Sequence, residues 1–170
     1  SWFPPSNCDL IYGRPIKTGP TFARTMQPTV RLRPDLIAVY AYAHLPERFK
    51  PQRRIDRATL PAGAEKLAML REAIATLGGA GYDYIGMDHF ALPDDSLAVA
   101  HRRGSLQRNF MGYTTLPDCD LLGIGVSAIG AIGPTYAQNH RELDHYLMAL
   151  ENGELPIARG IELTPDDLLR

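Results

Sequence analysis

Short uninterrupted apolar runs alternate along this chain with longer stretches in which apolar residues recur every three or four positions. Asn7 to Gly13 is one such run, stopped by Gly13-Arg14-Pro15, and its brevity and punctuation predict a buried strand. Residues 21–33 carry Phe22, Met26, Val30 and Arg33 at helical spacing, and Pro28 inside them is expected to kink the helix or postpone its regular part. After Pro34-Asp35, Leu36 to Ala43 is a continuous apolar run of the kind found in strands covered on both faces. A strand, helix, strand succession of this length implies a right-handed crossover between parallel neighbours, and so an α/β sheet or barrel.

The pattern then repeats imperfectly. A loop from His44 to Leu60 carries Pro46, Pro51 and a set of basic residues, and residues 64–77 follow as an amphipathic helix with Leu67, Leu70, Ile74 and Leu77 as its apolar stripe. Gly78-Gly79 stop it, and Tyr82 to Phe90 predicts a third strand. Leu97 to Arg103 fits a short helix. Gly104 to Gly133 is rich in glycine, which brings backbone close to something: a flat ligand or an adjacent strand, with plain core packing as the alternative. Tyr136 to Leu150 predicts an amphipathic helix, and Thr164-Pro165 a helix start.

Composition narrows the function classes. The 18 basic and 19 acidic residues are scattered, giving a net charge of -1, so no basic face is present to hold a phosphate backbone. No apolar run approaches the roughly 20 residues of a membrane span, the start lacks the regions of a signal peptide, and the cytoplasm is the expected location. Cys8 and Cys119 are the two cysteines; they form no Cys-x-x-Cys pair and no disulfide framework, and no metal site follows from local spacing.

Several residues have chemistry to offer. Asp9 within an apolar strand must be hydrogen-bonded or paired, either as part of a site or as a structural acceptor. Asp88-His89, at the end of the third strand, and His44, after the second, would share one rim if the strands run parallel, where α/β barrels place active sites; hydrogen-bonded strand ends are the simpler alternative. Arg53-Arg54, Arg102-Arg103 and Arg108 could clamp a carboxylated substrate, although a solvated basic face explains them equally well. Gly123-Ile124-Gly125 lacks both the third glycine and the acidic residue of a dinucleotide fingerprint.

Five collinear stretches carry a family resemblance: Asp9 to Pro15, Tyr42 to Pro46, Gly86 to Ala91, Arg108 to Thr115 and Leu121 to Ile129. In order and spacing they resemble motifs of the oxygen-independent coproporphyrinogen III oxidase family. A related radical S-adenosylmethionine (SAM) haem chaperone shares the first stretch but resembles the third and fourth less, and a non-catalytic module that binds SAM or tetrapyrrole is a further alternative.

The resemblance implies an α/β fold that is part of an incomplete TIM-like (β/α)6 barrel, with additional strands and C-terminal helices. It places the C-terminal half of the radical SAM barrel domain in residues 1–135 and a helical connection towards a C-terminal helical domain in 136–170. It implies a radical SAM enzyme in which a [4Fe–4S] cluster, held by a Cys-x-x-x-Cys-x-x-Cys motif, cleaves SAM reductively. The resulting radical abstracts hydrogen from propionates of coproporphyrinogen III, which lose carbon dioxide to give protoporphyrinogen IX in haem biosynthesis. Asp9 and Ala43 match positions contacting the SAM at the cluster; Phe110, Met111 and Ile129 match positions contacting a second SAM. Met111 stands where some members carry glutamine, leaving a thioether in place of a hydrogen-bonding amide. The cluster motif itself is absent from these residues, so the chain alone is expected to be inactive and to self-associate through an open sheet edge.

Overall fold

The computed structural model describes residues 5–110, 112–116 and 119–168, and the chain divides into two compact units, 1–106 and 107–170. In the first, β1 (Asn7–Tyr12) and β2 (Leu36–Ala41) pair in parallel from Asn7 opposite Leu36 to Tyr12 opposite Ala41, joined by α1 (Gly19–Leu32). The parallel strand, helix, strand unit expected from the pattern is therefore present. At the start of α1 the Thr18 N–H donates to Thr21 Oγ1 at 2.9 Å, and the helix runs through Pro28 without interruption. The hydroxyls of Thr25 and Thr29 bond to the carbonyls of Thr21 and Thr25 on either side of the proline.

The third strand departs from expectation. Tyr82 to Phe90 is not one parallel strand but a hairpin of β3 (Asp83–Gly86) and β4 (His89–Ala91), giving the sheet order β1-β2-β4-β3 with β4 antiparallel to β2. The chain reverses because Gly86 at φ 137° and Met87 at φ 54° adopt the backbone region a tight turn needs, and the glycine does so without a Cβ penalty. The Tyr84 hydroxyl donates to the Met87 carbonyl at 2.7 Å and closes the turn.

The core lies on one side of this sheet. Leu10, Tyr12, Ile37, Val39 and Phe90 pack against Phe22 and Met26 of α1 and against Met69, Ala73 and Leu77 of α2 (Gly63–Gly79). The buried stripe of α2 is thus rotated from that expected: Leu67 is 49% exposed, while Leu70 and Ile74 flank the core. A helix stripe read from sequence weights Leu above Met and Ala, whereas the packing here uses the small Ala73 for close approach. Buried Tyr82 donates its hydroxyl to the Pro34 carbonyl at 2.7 Å, and burial raises its pKa. β1 alternates instead of being buried throughout: Leu10 and Tyr12 face the helices while Asn7, Asp9 and Ile11 are exposed on the opposite face. β2 is buried at Ile37, Ala38 and Val39 and opens to solvent at Tyr40 and Ala41.

The starts of β1 and β2 are tied through Asp35, whose Oδ2 accepts from the Ser6 N–H at 2.7 Å and the Ser6 hydroxyl at 2.8 Å. Those bonds favour the charged carboxylate and hold its pKa below the ordinary 3.8. A group whose folded pKa is depressed contributes stability that is complete above its unfolded pKa and lost as pH falls through the folded value. Asp35→Asn should therefore lower the melting temperature at neutral pH and flatten its decline on acidification. Parallel melting curves of parent and variant at every pH below neutrality would contradict this.

The second unit consists of a hairpin, β5 (Gln107–Asn109) with β6 (Gly112–Thr114), and an antiparallel sheet of β7 (Ile129–Ile132), β8 (Thr135–Asn139) and β9 (Ile157–Glu162). The first unit also holds α3 (Ser96–Arg102), and the second α4 (Leu143–Glu151) and α5 (Pro165–Leu168). Residues 136–139, expected as the start of a helix, are strand: Tyr136 lies between Ala131 and Ile161, and helix begins only at Leu143. Aromatic Tyr136 and its neighbours suit a pleated surface, and cross-strand pairing outweighs a helical spacing of this length. Residues 135 and 136 lie within the β7-β8-β9 sheet, and the division into compact units falls earlier, after residue 106. Thr164 caps α5, its hydroxyl donating to Asp167 Oδ2 at 2.6 Å, as Thr164-Pro165 predicts.

Candidate functional site

The open face of the four-stranded sheet brings together Asp9, Tyr40 and His89. Asp9 of β1 lies opposite Ala38, which in turn lies opposite His89 of β4, so carboxylate and imidazole stand on one row across three strands. Asp9 is exposed, and Asn7 Nδ2 donates to its Oδ1 at 3.4 Å; the alternation of β1, not a buried partner, resolves how a carboxylate sits in this strand. His89 Nδ1 lies 2.7 Å from Asp88 Oδ1, and the His89 ring meets Tyr40 edge-on at 6.2 Å. Burial first, then the charges of Asp9 and Asp88, raise the Tyr40 pKa. Tyr40 is a member of this cluster that the sequence reading missed, because the apolar run around it disguises a residue at the point where β2 opens to solvent.

The rim expected from Asp88, His89 and His44 does not form as such. Because β4 runs antiparallel, His89 pairs with Ala38 in the middle of β2, whereas His44 follows the C-terminal end of that strand. Among the described residues no group of three His, Cys, Asp or Glu side chains is placed to hold a metal ion.

Ala43 lies exposed in the loop after β2, and that loop is clamped. Gln52 Nε2 donates to the Ala43 carbonyl at 3.2 Å while its Oε1 accepts from the Leu45 N–H at 2.5 Å, the donor and acceptor pair a neighbouring strand would offer. Arg53 Nε adds a bond to the Pro46 carbonyl at 2.9 Å. Gln52 and Arg53 come from a 3-10 turn, Lys50–Arg54, inside the stretch expected as plain loop.

In the second unit Phe110 is 56% exposed, and its ring stands edge-on to Tyr136 with centroids 5.2 Å apart. Phe110, Ile129, Tyr136, Gln138, Arg159 and Ile161 line a groove of about 240 Å³. Within it Arg159 donates from Nε and Nη2 to Gln138 Oε1 at 2.9 and 2.6 Å. Phe110 and Ile129, nineteen positions apart in sequence, are thus brought to one hollow, while Met111 lies outside the described residues.

The glycine-rich segment packs backbone against backbone. A Cβ on Gly123 would lie 2.7 Å from the Ile129 carbonyl carbon and 2.8 Å from the Gly130 nitrogen, so of a flat ligand and an adjacent strand it is the strand that is met here. Buried Asn139 completes the arrangement, its Nδ2 donating to the carbonyls of Gly123 at 3.2 Å and Gly125 at 2.9 Å.

Sequence comparison finds 54% identity over 164 residues, 96% of this chain, to the oxygen-independent coproporphyrinogen III oxidase of Pseudomonas aeruginosa, and 52% over 168 residues, 99% of the chain, to that of Escherichia coli. The chain matches the oxygen-independent coproporphyrinogen III oxidases. It spans little more than a third of them, 36% and 37% of their respective lengths. The structure of the Escherichia coli oxidase, a radical SAM enzyme, superposes with a TM-score of 0.94 at 52% identity, over 98% of this chain and 38% of that one. No protein-family model matches the chain. The five motif stretches quoted from the sequence all fall within the span aligned with these oxidases. No helix among the described residues is long and apolar enough to cross a membrane.

Proposed function

We propose that this chain is part of an oxygen-independent coproporphyrinogen III oxidase, which converts two propionate side chains of coproporphyrinogen III to vinyl groups by radical SAM chemistry. The observation that carries this is identity above 50% sustained along nearly the whole chain, together with the matching fold. On this reading the first unit supplies the last parallel strands of a TIM-like (β/α)6 barrel. Among the described residues β1 has one neighbour in its sheet, and its other edge is where preceding strands would pair.

The site residues divide by chemistry. Asp9 offers an exposed carboxylate on the open face of the sheet, suited to a cationic or hydroxylated part of SAM, and Ala43 offers backbone in a loop held still by Gln52. Phe110 and Ile129 offer apolar walls to the adenosyl group of a second SAM. The cluster does not fit this chain: Cys8 is half-buried against the core and Cys119 is exposed in the other unit, and two thiolates fall short of what a [4Fe–4S] cluster needs. Its ligands must come from elsewhere in the full polypeptide.

A chimera tests the proposal. Grafting residues 7–168 in place of the matching segment of the Escherichia coli oxidase should give a protein that decarboxylates coproporphyrinogen III. A folded, cluster-loaded chimera without turnover would sink the assignment. In the same chimera Asp9→Asn should weaken SAM binding by about tenfold, the order expected for losing a charged hydrogen bond, and leave the melting temperature nearly unchanged because Asp9 is exposed. Unchanged SAM affinity would reduce Asp9 to a surface residue.

A further inference from the structure

The Phe110 and Tyr136 rings border two hollows of the second unit: the groove of about 240 Å³ described above, and a cleft of about 650 Å³. Arg108, Asn109, Thr114 and Leu121 also line the cleft, and none of its described lining residues is acidic. Arg108 sits on β5 opposite Tyr113 of β6, and its side chain makes no hydrogen bond or ion pair with the described residues. Of the other candidate carboxylate clamps, Arg54 and Arg103 do not line this cleft, and three further arginines are engaged. Arg102 bonds Asp83 and the Pro93 carbonyl, Arg53 bonds the Pro46 carbonyl, and Arg159 is held by Gln138. Arg108, by contrast, keeps its forked donors free of the described residues, and it stands beside apolar and aromatic walls in a cleft whose described lining has no acidic side chain.

We infer that this cleft is a carboxylate subsite, in which Arg108 takes a propionate of an anionic, largely apolar tetrapyrrole while the walls formed by Phe110, Leu121 and Tyr136 contact its ring. The inference rests on the oxidase reading and names one contact for its substrate class.

Fluorescence titration of the chain with coproporphyrin III, the oxidised and stable tetracarboxylate, tests this directly, with the tetramethyl ester as an uncharged probe of the same ring. The parent chain should bind the acid more tightly than the ester. Arg108→Gln should weaken acid binding by about tenfold or more and leave ester binding unchanged, and Arg108→Lys should fall between, keeping the charge without the fork. Because Arg108 is exposed, circular dichroism of the variants should match the parent. Equal acid affinity in parent and Arg108→Gln would overturn the role of Arg108 while leaving the oxidase reading intact. Failure of the parent chain to bind the acid would overturn the subsite, and the oxidase reading would still be decided separately by turnover of the chimera, which does not depend on this titration.

Discussion

Truncating Phe90 to alanine should cost the first unit about 3–5 kcal/mol, the range for removing a fully buried aromatic side chain. The ring is 0% exposed and lies in β4 opposite Ile37 and Tyr84, with the Tyr84 ring centroid 4.9 Å away. It is flanked by strands on both sides, so its neighbours cannot collapse into the hole without breaking the sheet. Against a typical total of about 5–15 kcal/mol, the loss is large enough to bring the transition midpoint close to ambient conditions. Urea unfolding followed by far-ultraviolet circular dichroism should show the shift, and Phe90→Leu, which refills most of the volume, should recover the greater part. A midpoint for Phe90→Ala within error of the parent would mean that the β3-β4 hairpin is not held as described.

The second large effect is expected at Gly123. An alanine there would place its Cβ 2.7 to 2.9 Å from the backbone atoms of Ile129 and Gly130, and backbone, unlike a flexible side-chain tip, cannot swing aside. β7 would have to move, straining the paired hydrogen bonds between Leu121 and Ala131 and the bonds Asn139 makes to Gly123 and Gly125. Overpacking of this kind costs about 1–3 kcal/mol. It should also loosen the groove, because Ile129 forms one of its walls. Gly78→Ala is the contrasting substitution: its Cβ meets nothing within 4 Å inside α2, and replacing a helical glycine should stabilise by about 0.5–1 kcal/mol. If both variants shift the thermal midpoint in the same direction, close approach at Gly123 is not what sets its requirement for glycine.

Local pattern was enough where a single element decides its own form. Asn7 to Tyr12, Leu36 to Ala41, and the helices 19–32 and 63–79 were legible because period and punctuation act within a few residues, and the parallel pairing followed from the length of the crossover. The motifs of the oxidase were equally legible, since they are strings of consecutive residues. What could not be read locally was every feature set by a partner distant in sequence. Tyr82 to Phe90 has the composition of a strand, and the two positive φ angles at Gly86 and Met87 turn it into a hairpin, moving His89 from the rim to a place in β4 opposite the middle of β2. Tyr136 to Asn139 has helical spacing but pairs on both sides with strands it meets only after folding. Asp9 was legible as a candidate, though its exposure was not, because which face of β1 receives the helices depends on α1 and α2 together. The sequence by itself determined the α/β character, the parallel β1-α1-β2 unit and the similarity to the oxidases. The tertiary structure decided which faces are open, which glycines must stay glycine, and that Phe110, Ile129 and Tyr136 border one hollow, because those depend on distances between residues that no local period encodes.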